Sequence, residues 1–126
     1  MLVVDDDSNI RELIGELLTS EGYAVELADD GRQALDILRA TPRRMVVLLD
    51  VMMPVVDGVQ TLEAVAADEE LARRHAFLIM TASSVNDHKG LLKLVHEFNA
   101  PVLTKPFSIE ALLRTLNVVA ARLRNS

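Results

Sequence analysis

The chain has 126 residues, 50% of them hydrophobic and 25% charged, with no cysteine and a formal net charge of −6. That length fits a single domain over 1–126 with one substantial core. The lack of cysteine excludes disulfides, thiol catalysis and thiolate metal sites, and fits a reducing compartment. The acidic balance, with one Tyr, three Phe and no Trp, argues against direct binding of DNA or RNA.

No apolar stretch approaches the roughly 20 residues of a membrane span, and the first residues lack a basic flank followed by an apolar core. No membrane association is expected, and the cytoplasm is the expected location. The adjacent basic pairs Arg43-Arg44 and Arg73-Arg74 read as solvated charges at loops or helix ends.

In chain order, Leu2-Val3-Val4 is an apolar run that ends in Asp5-Asp6 and is predicted as the first strand. Ile10, Leu13, Ile14, Leu17 and Leu18 then follow the spacing that lines one helix face. Asp7, Ser8 or Asn9 can cap its first turn, and Gly22 can close it in the left-handed conformation. A second strand is predicted over 24–28 and a second helix over 31–39, ending before Pro42. Residues 45–49 form a continuous aliphatic run typical of a strand buried on both faces, and the run leads into Asp50.

Asp57-Gly58 is predicted to start a third helix presenting Val59, Leu62, Val65 and Ala66. A fourth strand over 76–80 precedes the polar Thr81-Ala82-Ser83-Ser84 turn, and a fourth helix is predicted over about 86–98. A short fifth strand at 102–104 leads into Lys105-Pro106. Ser108 then caps a last helix in which Ile109, Leu112, Leu113, Leu116, Ala120 and Leu123 share a face. Five βα units in strict alternation imply an α/β fold: a doubly wound five-stranded parallel sheet, strand order 2-1-3-4-5, with right-handed crossovers.

In such sheets, ligands bind outside the carboxyl ends of the strands. An Asp pair alone usually decorates a turn or a cap. With strands 1 and 3 adjacent, however, Asp5, Asp6 and Asp50 face one another, and three close carboxylates call for a hard divalent cation such as Mg²⁺. Lys105, at the end of the fifth strand, reaches over the same crevice toward Asp50 or a phosphoryl group on it, and a cis Lys105-Pro106 bond would fix its direction. Thr81 adds a hydroxyl at the end of the fourth strand, and capping a helix is its plainer reading.

Four segments in register carry a resemblance over essentially the whole chain. They are Val3-Val4-Asp5-Asp6-Asp7, Leu49-Asp50-Val51-Met52-Met53-Pro54 followed by Asp57-Gly58, Met80-Thr81-Ala82, and Lys105-Pro106-Phe107. The chain resembles the receiver domains of response regulators in two-component phosphorelays, whose arrangement is the flavodoxin-like, CheY-like one. That resemblance implies that Asp50 is the phosphoacceptor and that Asp5, Asp6, Asp50 and the Met52 backbone carbonyl hold Mg²⁺, or Mn²⁺ in its place. It further implies that Thr81 and Lys105 contact the phosphoryl group. The implied partners are a sensor histidine kinase or histidine phosphotransfer protein, a downstream protein or output domain, and a second copy of the chain on phosphorylation. Such a domain is not an enzyme acting on other substrates; it catalyses only its own phosphorylation and dephosphorylation.

In the family it resembles, a Tyr or Phe whose ring turns inward as the threonine moves usually stands three positions before the lysine, where this chain has Val102 preceded by Pro101. Output is therefore expected through the loop after the fourth strand and the face of helix 4, strand 5 and helix 5. Met52 and Ser83, two positions past Asp50 and Thr81, are expected to modulate phosphoryl lifetime.

His75, His88 and His96 read as surface residues, and Met52 and Met53 as loop and packing residues rather than a soft-metal site. Two other functions stay open. One is a docking or dimerisation module that does not use phosphorylation, although Asp50 and Lys105 are both present. The other is a phosphotransferase or hydrolase working through an aspartyl phosphate, although Val51-Met52 supplies no second carboxylate. A flavodoxin-like FMN protein ranks last, because no Ser/Thr/Gly-rich loop follows the first strand. Met1 abuts that strand and Ser126 closely follows the last helix, so a single-domain regulator and a fragment of a larger protein both fit.

Overall fold

The computed structural model describes residues 1–53 and 55–124; Pro54 of the Asp50 segment and Ser126 lie outside the described residues. The strands are β1 (Leu2–Val4), β2 (Glu26–Ala28), β3 (Val46–Asp50), β4 (Ala76–Thr81) and β5 (Val102–Thr104). All pair in parallel, in the order β2-β1-β3-β4-β5. The helices are α1 (Ser8–Ser20), α2 (Gly31–Ala40), α3 (Gly58–Ala66), α4 (Glu69–Arg74), α5 (Leu91–Phe98) and α6 (Ile109–Arg124). This is the predicted doubly wound architecture.

Successive strand side chains point to opposite faces, and the central strands divide their residues accordingly. Val47, Leu49, Phe77 and Ile79 join Leu35, Leu38, Leu62, Val65, Leu91 and Leu94 in one core. Val46, Leu48, Leu78 and Met80 join Ile14, Leu18, Leu112, Leu116 and Val119 in the other. Thus α2 to α5 cover one face of the sheet, while α1 and α6 cover the other. Aliphatic runs without polar alternation mark the strands that both layers bury.

Local chemistry fixes the element ends nearest the site. The Asp7 carboxylate accepts from the Asn9 and Ile10 amides at the start of α1. Asp57 and Gln60 exchange side-chain to backbone hydrogen bonds of 2.8 and 2.9 Å at the start of α3. Gly22, with φ of +94°, ends the turn after α1 as predicted.

Several expectations are corrected. The helix predicted over 86–98 is a 3₁₀ turn, Val85–Asp87, followed by α5, because Gly90 with φ of +83° breaks the run between them. The short helix α4 was not predicted: Asp68 caps it and only Leu71 is buried, so it has no apolar period to read. Strand β2 begins at Glu26 rather than 24. Leu13 and Ile109 share helical spacing with the core but are 65% and 59% exposed, lining an apolar groove between α1 and α6. Ala66 likewise is exposed at the end of α3.

His75, read as a surface residue, is 4% exposed; its Nδ1 accepts the Met45 N–H at 3.1 Å, which stitches the start of β3 to the residue before β4. Its neighbour Arg74 is also tied down, donating to the Thr41 carbonyl at 3.1 Å. His96 is exposed as expected. Among the described residues, no helix is long and apolar enough to cross a membrane.

Candidate functional site

Three strands deliver charge to one sheet end. Asp5 and Asp6 directly follow β1, Asp50 is the last residue of β3, and Lys105 directly follows β5. Because β1 and β3 are neighbours with Val4 beside Leu49, the acids converge: Asp5, Asp6 and Asp50 each offer an oxygen, all within 4.8 Å of one another. Asp5 is fully buried and Asp50 is 5% exposed, whereas Asp6 faces solvent.

Asp5 is the most heavily bonded member. One carboxylate oxygen accepts the Asp7 N–H at 3.0 Å and the other accepts Lys105 Nζ at 2.8 Å. Its carbonyl accepts the Arg11 guanidinium at 2.7 Å. Lys105 Nζ also lies 3.4 Å from Asp50 Oδ1. Lysine reach was expected toward Asp50; its shorter contact is to Asp5. The Lys105–Pro106 peptide bond is cis, as the sequence suggested.

Charge balance is incomplete. Burial, then the neighbouring Asp5 charge, pushes the Asp50 carboxyl up to about 6, against the opposing pull of Lys105. Burial alone would lower Lys105, but its hydrogen bond to Asp5 and the charges of Asp50 and Asp5 hold it above its ordinary value. One ammonium therefore does not neutralise three carboxylates. A donor set of clustered carboxylate oxygens, one of them solvent-facing, fits a hard divalent cation that keeps part of its water shell. Met52 lines a shallow hollow of about 330 Å³ together with Asp6, the solvent-facing member of the cluster, and with Val51, Met53, Asp57 and His88.

The loop after β4 completes the rim. Thr81 is buried at the end of β4, and its carbonyl accepts the Lys105 N–H at 2.7 Å, joining the two strand ends. Its hydroxyl, however, is turned into its own loop, donating to the Ser83 carbonyl at 3.0 Å and accepting the Ser83 N–H at 3.1 Å. Ser83 Oγ in turn lies 2.8 Å from His88 Nε2. The link to His88 was not anticipated. Only their separation of five residues across a predicted turn hinted at it.

Val102 stands opposite Ile79 in the β4–β5 pairing and packs on the core beneath α2 to α5. Gly58 matters for a steric reason: a Cβ there would lie 2.6 Å from the Asp50 carbonyl oxygen and 2.7 Å from Val51 Cα. Helix α3 thereby starts hard against the strand that carries Asp50.

Residues 1–117 match the family model described as the response regulator receiver domain. The chain belongs to that family. Among its curated relatives, this receiver domain is 38% identical over 124 residues to the response regulator MprA of Mycolicibacterium vanbaalenii, covering 97% of this chain and 50% of that protein. The chain thus spans about half the length of the curated relatives it matches. Among solved structures, it resembles a CheY-like receiver domain protein from Methanospirillum hungatei with a TM-score of 0.84 and 31% identity, over 99% of this chain and 96% of that one. It also resembles the response regulator TrrA of Thermotoga maritima, solved in complex with Mg²⁺-BeF, with a TM-score of 0.75 and 27% identity, over 94% and 96% of the two chains. Response regulators act in two-component signalling, and the receiver fold here presents its charged cluster at the strand ends where the sequence located it.

Proposed function

We propose that this receiver domain accepts a phosphoryl group on Asp50 from a phosphohistidine of a partner protein, and that the modified domain signals through an altered surface. The observation that carries this reading is the convergence of Asp5, Asp6 and Asp50 within 4.8 Å, with Lys105 Nζ 3.4 Å from the acceptor carboxylate.

Phosphoryl transfer asks the protein for an aligned nucleophile and for charge stabilisation, with little covalent chemistry beyond that. An ionised Asp50 oxygen attacks phosphorus, the donor P–N bond breaks, and its electron pair stays on the departing imidazole nitrogen. Asp5, Asp6, Asp50 and the Met52 carbonyl would hold Mg²⁺, or Mn²⁺ in its place, which when bound would offset charge on the transferring oxygens. Lys105 supplies an ammonium 3.4 Å from Asp50 Oδ1 and tied to Asp5, and the Thr81 hydroxyl leaves its loop to meet a phosphoryl oxygen. Ser83 and Met52, two positions past Thr81 and Asp50, tune how water reaches the acyl phosphate. The new charge biases the loop after β4 toward a second arrangement, which α5, β5 and α6 transmit. Val102 has no ring to turn inward, so transmission runs through the loop. Pro106 fixes the chain leaving Lys105.

The reaction is a single modification of the domain itself, so no turnover of an external substrate is expected. Partners on this reading are a sensor kinase or phosphotransfer protein upstream, and an output domain, a downstream protein or a second phosphorylated copy.

Incubation with acetyl phosphate and Mg²⁺, followed by intact mass, tests the assignment. Wild type should gain one phosphoryl mass that hydroxylamine removes, and both EDTA and Asp50→Ala should abolish the gain. Equal uptake by Asp50→Ala would move the acceptor elsewhere.

A further inference from the structure

We propose that His88 is a positioning residue for this chemistry: its imidazole holds the Ser83 hydroxyl and, through Ser83, keeps the Thr81 hydroxyl turned into the loop until Asp50 is modified. This rests on the receiver reading above and concerns how the same site is held at rest.

Thr81 has one hydroxyl proton, and the Ser83 carbonyl takes it at 3.0 Å while the Ser83 N–H fills an acceptor position at 3.1 Å. The hydroxyl can donate to an oxygen on Asp50 only by releasing Ser83. Whatever fixes Ser83 therefore sets the free energy of that release. Ser83 Oγ sits between two groups, Thr81 Oγ1 at 3.4 Å and His88 Nε2 at 2.8 Å. With either imidazole tautomer the Ser83–His88 bond survives, because a hydroxyl both donates and accepts.

His88 is itself well anchored. Its N–H donates to the Val85 carbonyl at 3.3 Å, and its carbonyl accepts the N–H of Leu91, the fully buried first residue of α5, at 3.1 Å. Between Ser83 and His88, Ser84 and Asp87 cap each other's backbone: the Ser84 N–H meets the Asp87 carboxylate at 3.0 Å, and the Asp87 N–H meets the Ser84 carbonyl at 3.0 Å. The segment from Thr81 to His88 is thus a closed hydrogen-bonded unit with the reactive hydroxyl at one end and α5 at the other. His88 also borders the hollow that Asp6 and Met52 line, so its release would be felt at the mouth of the site. Val102 offers no ring to perform the coupling, and the imidazole supplies a polar route from Thr81 to α5 in its place.

Beryllofluoride with Mg²⁺, a phosphoryl mimic that binds the acceptor without hydrolysing, tests this by titration followed through the amide signals of Thr81, Ser83 and Leu91. Removing one neutral hydrogen bond that favours the resting loop should tighten binding about three- to tenfold. His88→Ala and Ser83→Ala should each show that gain, and the double variant should be no tighter than either alone. His88→Gln, which offers an amide at similar reach, should return affinity to the wild-type value. Unchanged or weaker binding by His88→Ala, or gains that multiply in the double variant, would overturn the role given to His88. Failure of the wild type to bind the mimic in an Asp50-dependent way would instead strike the receiver chemistry itself.

Discussion

Lys105 sits closer to Asp5 than to Asp50: Nζ is 2.8 Å from an Asp5 oxygen and 3.4 Å from an Asp50 oxygen. The ammonium thus shares a carboxylate with the cation that the acid cluster would hold, and two positive charges so close oppose each other. Lys105→Ala is expected to split two properties that a folding defect would lower together. Mg²⁺ affinity, read by calorimetry, should rise several-fold, while the rate of phosphoryl uptake from acetyl phosphate should fall about a hundredfold, the usual scale for losing one aligned transition-state donor. A parallel fall in both would remove the lysine from this arrangement.

Asp6 is the one member of the cluster that faces solvent, so it can change without opening the core. Saturating Mg²⁺ should stabilise the wild type against heat, by about 2.7 kcal/mol at a hundred times the dissociation constant. Asp6→Asn should leave the metal-free melting temperature almost unchanged and remove most of the Mg²⁺-induced gain. An undiminished gain in the variant would place the ion elsewhere.

The acid cluster and Lys105 are legible in the sequence, because each charge follows a strand-forming run and parallel sheets bring such ends together. Two kinds of feature were hidden. Apolar spacing is the same whether a helix stripe meets the core or an open groove, so Leu13 and Ile109 looked buried. Single polar contacts leave no period at all: His75 after Arg73-Arg74 resembles a solvated helix end, yet its imidazole serves the Met45 N–H inside the fold. The pairing of Ser83 with His88 needed Gly90 to break the predicted helix, and one glycine in a polar stretch does not announce a left-handed residue.

Gly58 gives a steric test of how tightly Asp50 is held. A methyl group there meets the Asp50 carbonyl and Val51 Cα, both backbone, so neither neighbour can swing away. Gly58→Ala should destabilise the domain by roughly 1–3 kcal/mol, the range for overpacked sites, in urea unfolding. Phosphoryl uptake should fall with it under fully folded conditions, since the strand end carrying the nucleophile must move. Full uptake at wild-type rate would show that the backbone of Asp50 tolerates displacement.

His75 and Asp50 shift in opposite senses over almost the same pH range. Burial, then Arg74, holds the His75 imidazole down to about 4 from an ordinary 6.5, against a smaller opposing pull from the Leu38 carbonyl. Between those values the unfolded chain binds a proton that the folded chain refuses, so stability falls as pH falls from 6.5 to 4. Asp50 is held up at about 6 from 3.8, so there the folded chain keeps a proton that the unfolded chain releases, and stability falls as pH rises through that window. Each displacement is worth on the order of 3 kcal/mol at full extent, and the two oppose each other. The metal-free wild type should therefore show a weaker pH dependence over this range than a variant lacking either group. Asp50→Asn should expose the histidine, with urea midpoints rising from pH 4 to 6.5, and His75→Gln should expose the aspartate, with midpoints falling over the same range. Mg²⁺ favours the ionised carboxylate and should make the wild type follow Asp50→Asn. Identical profiles for the two variants would contradict the opposing titrations.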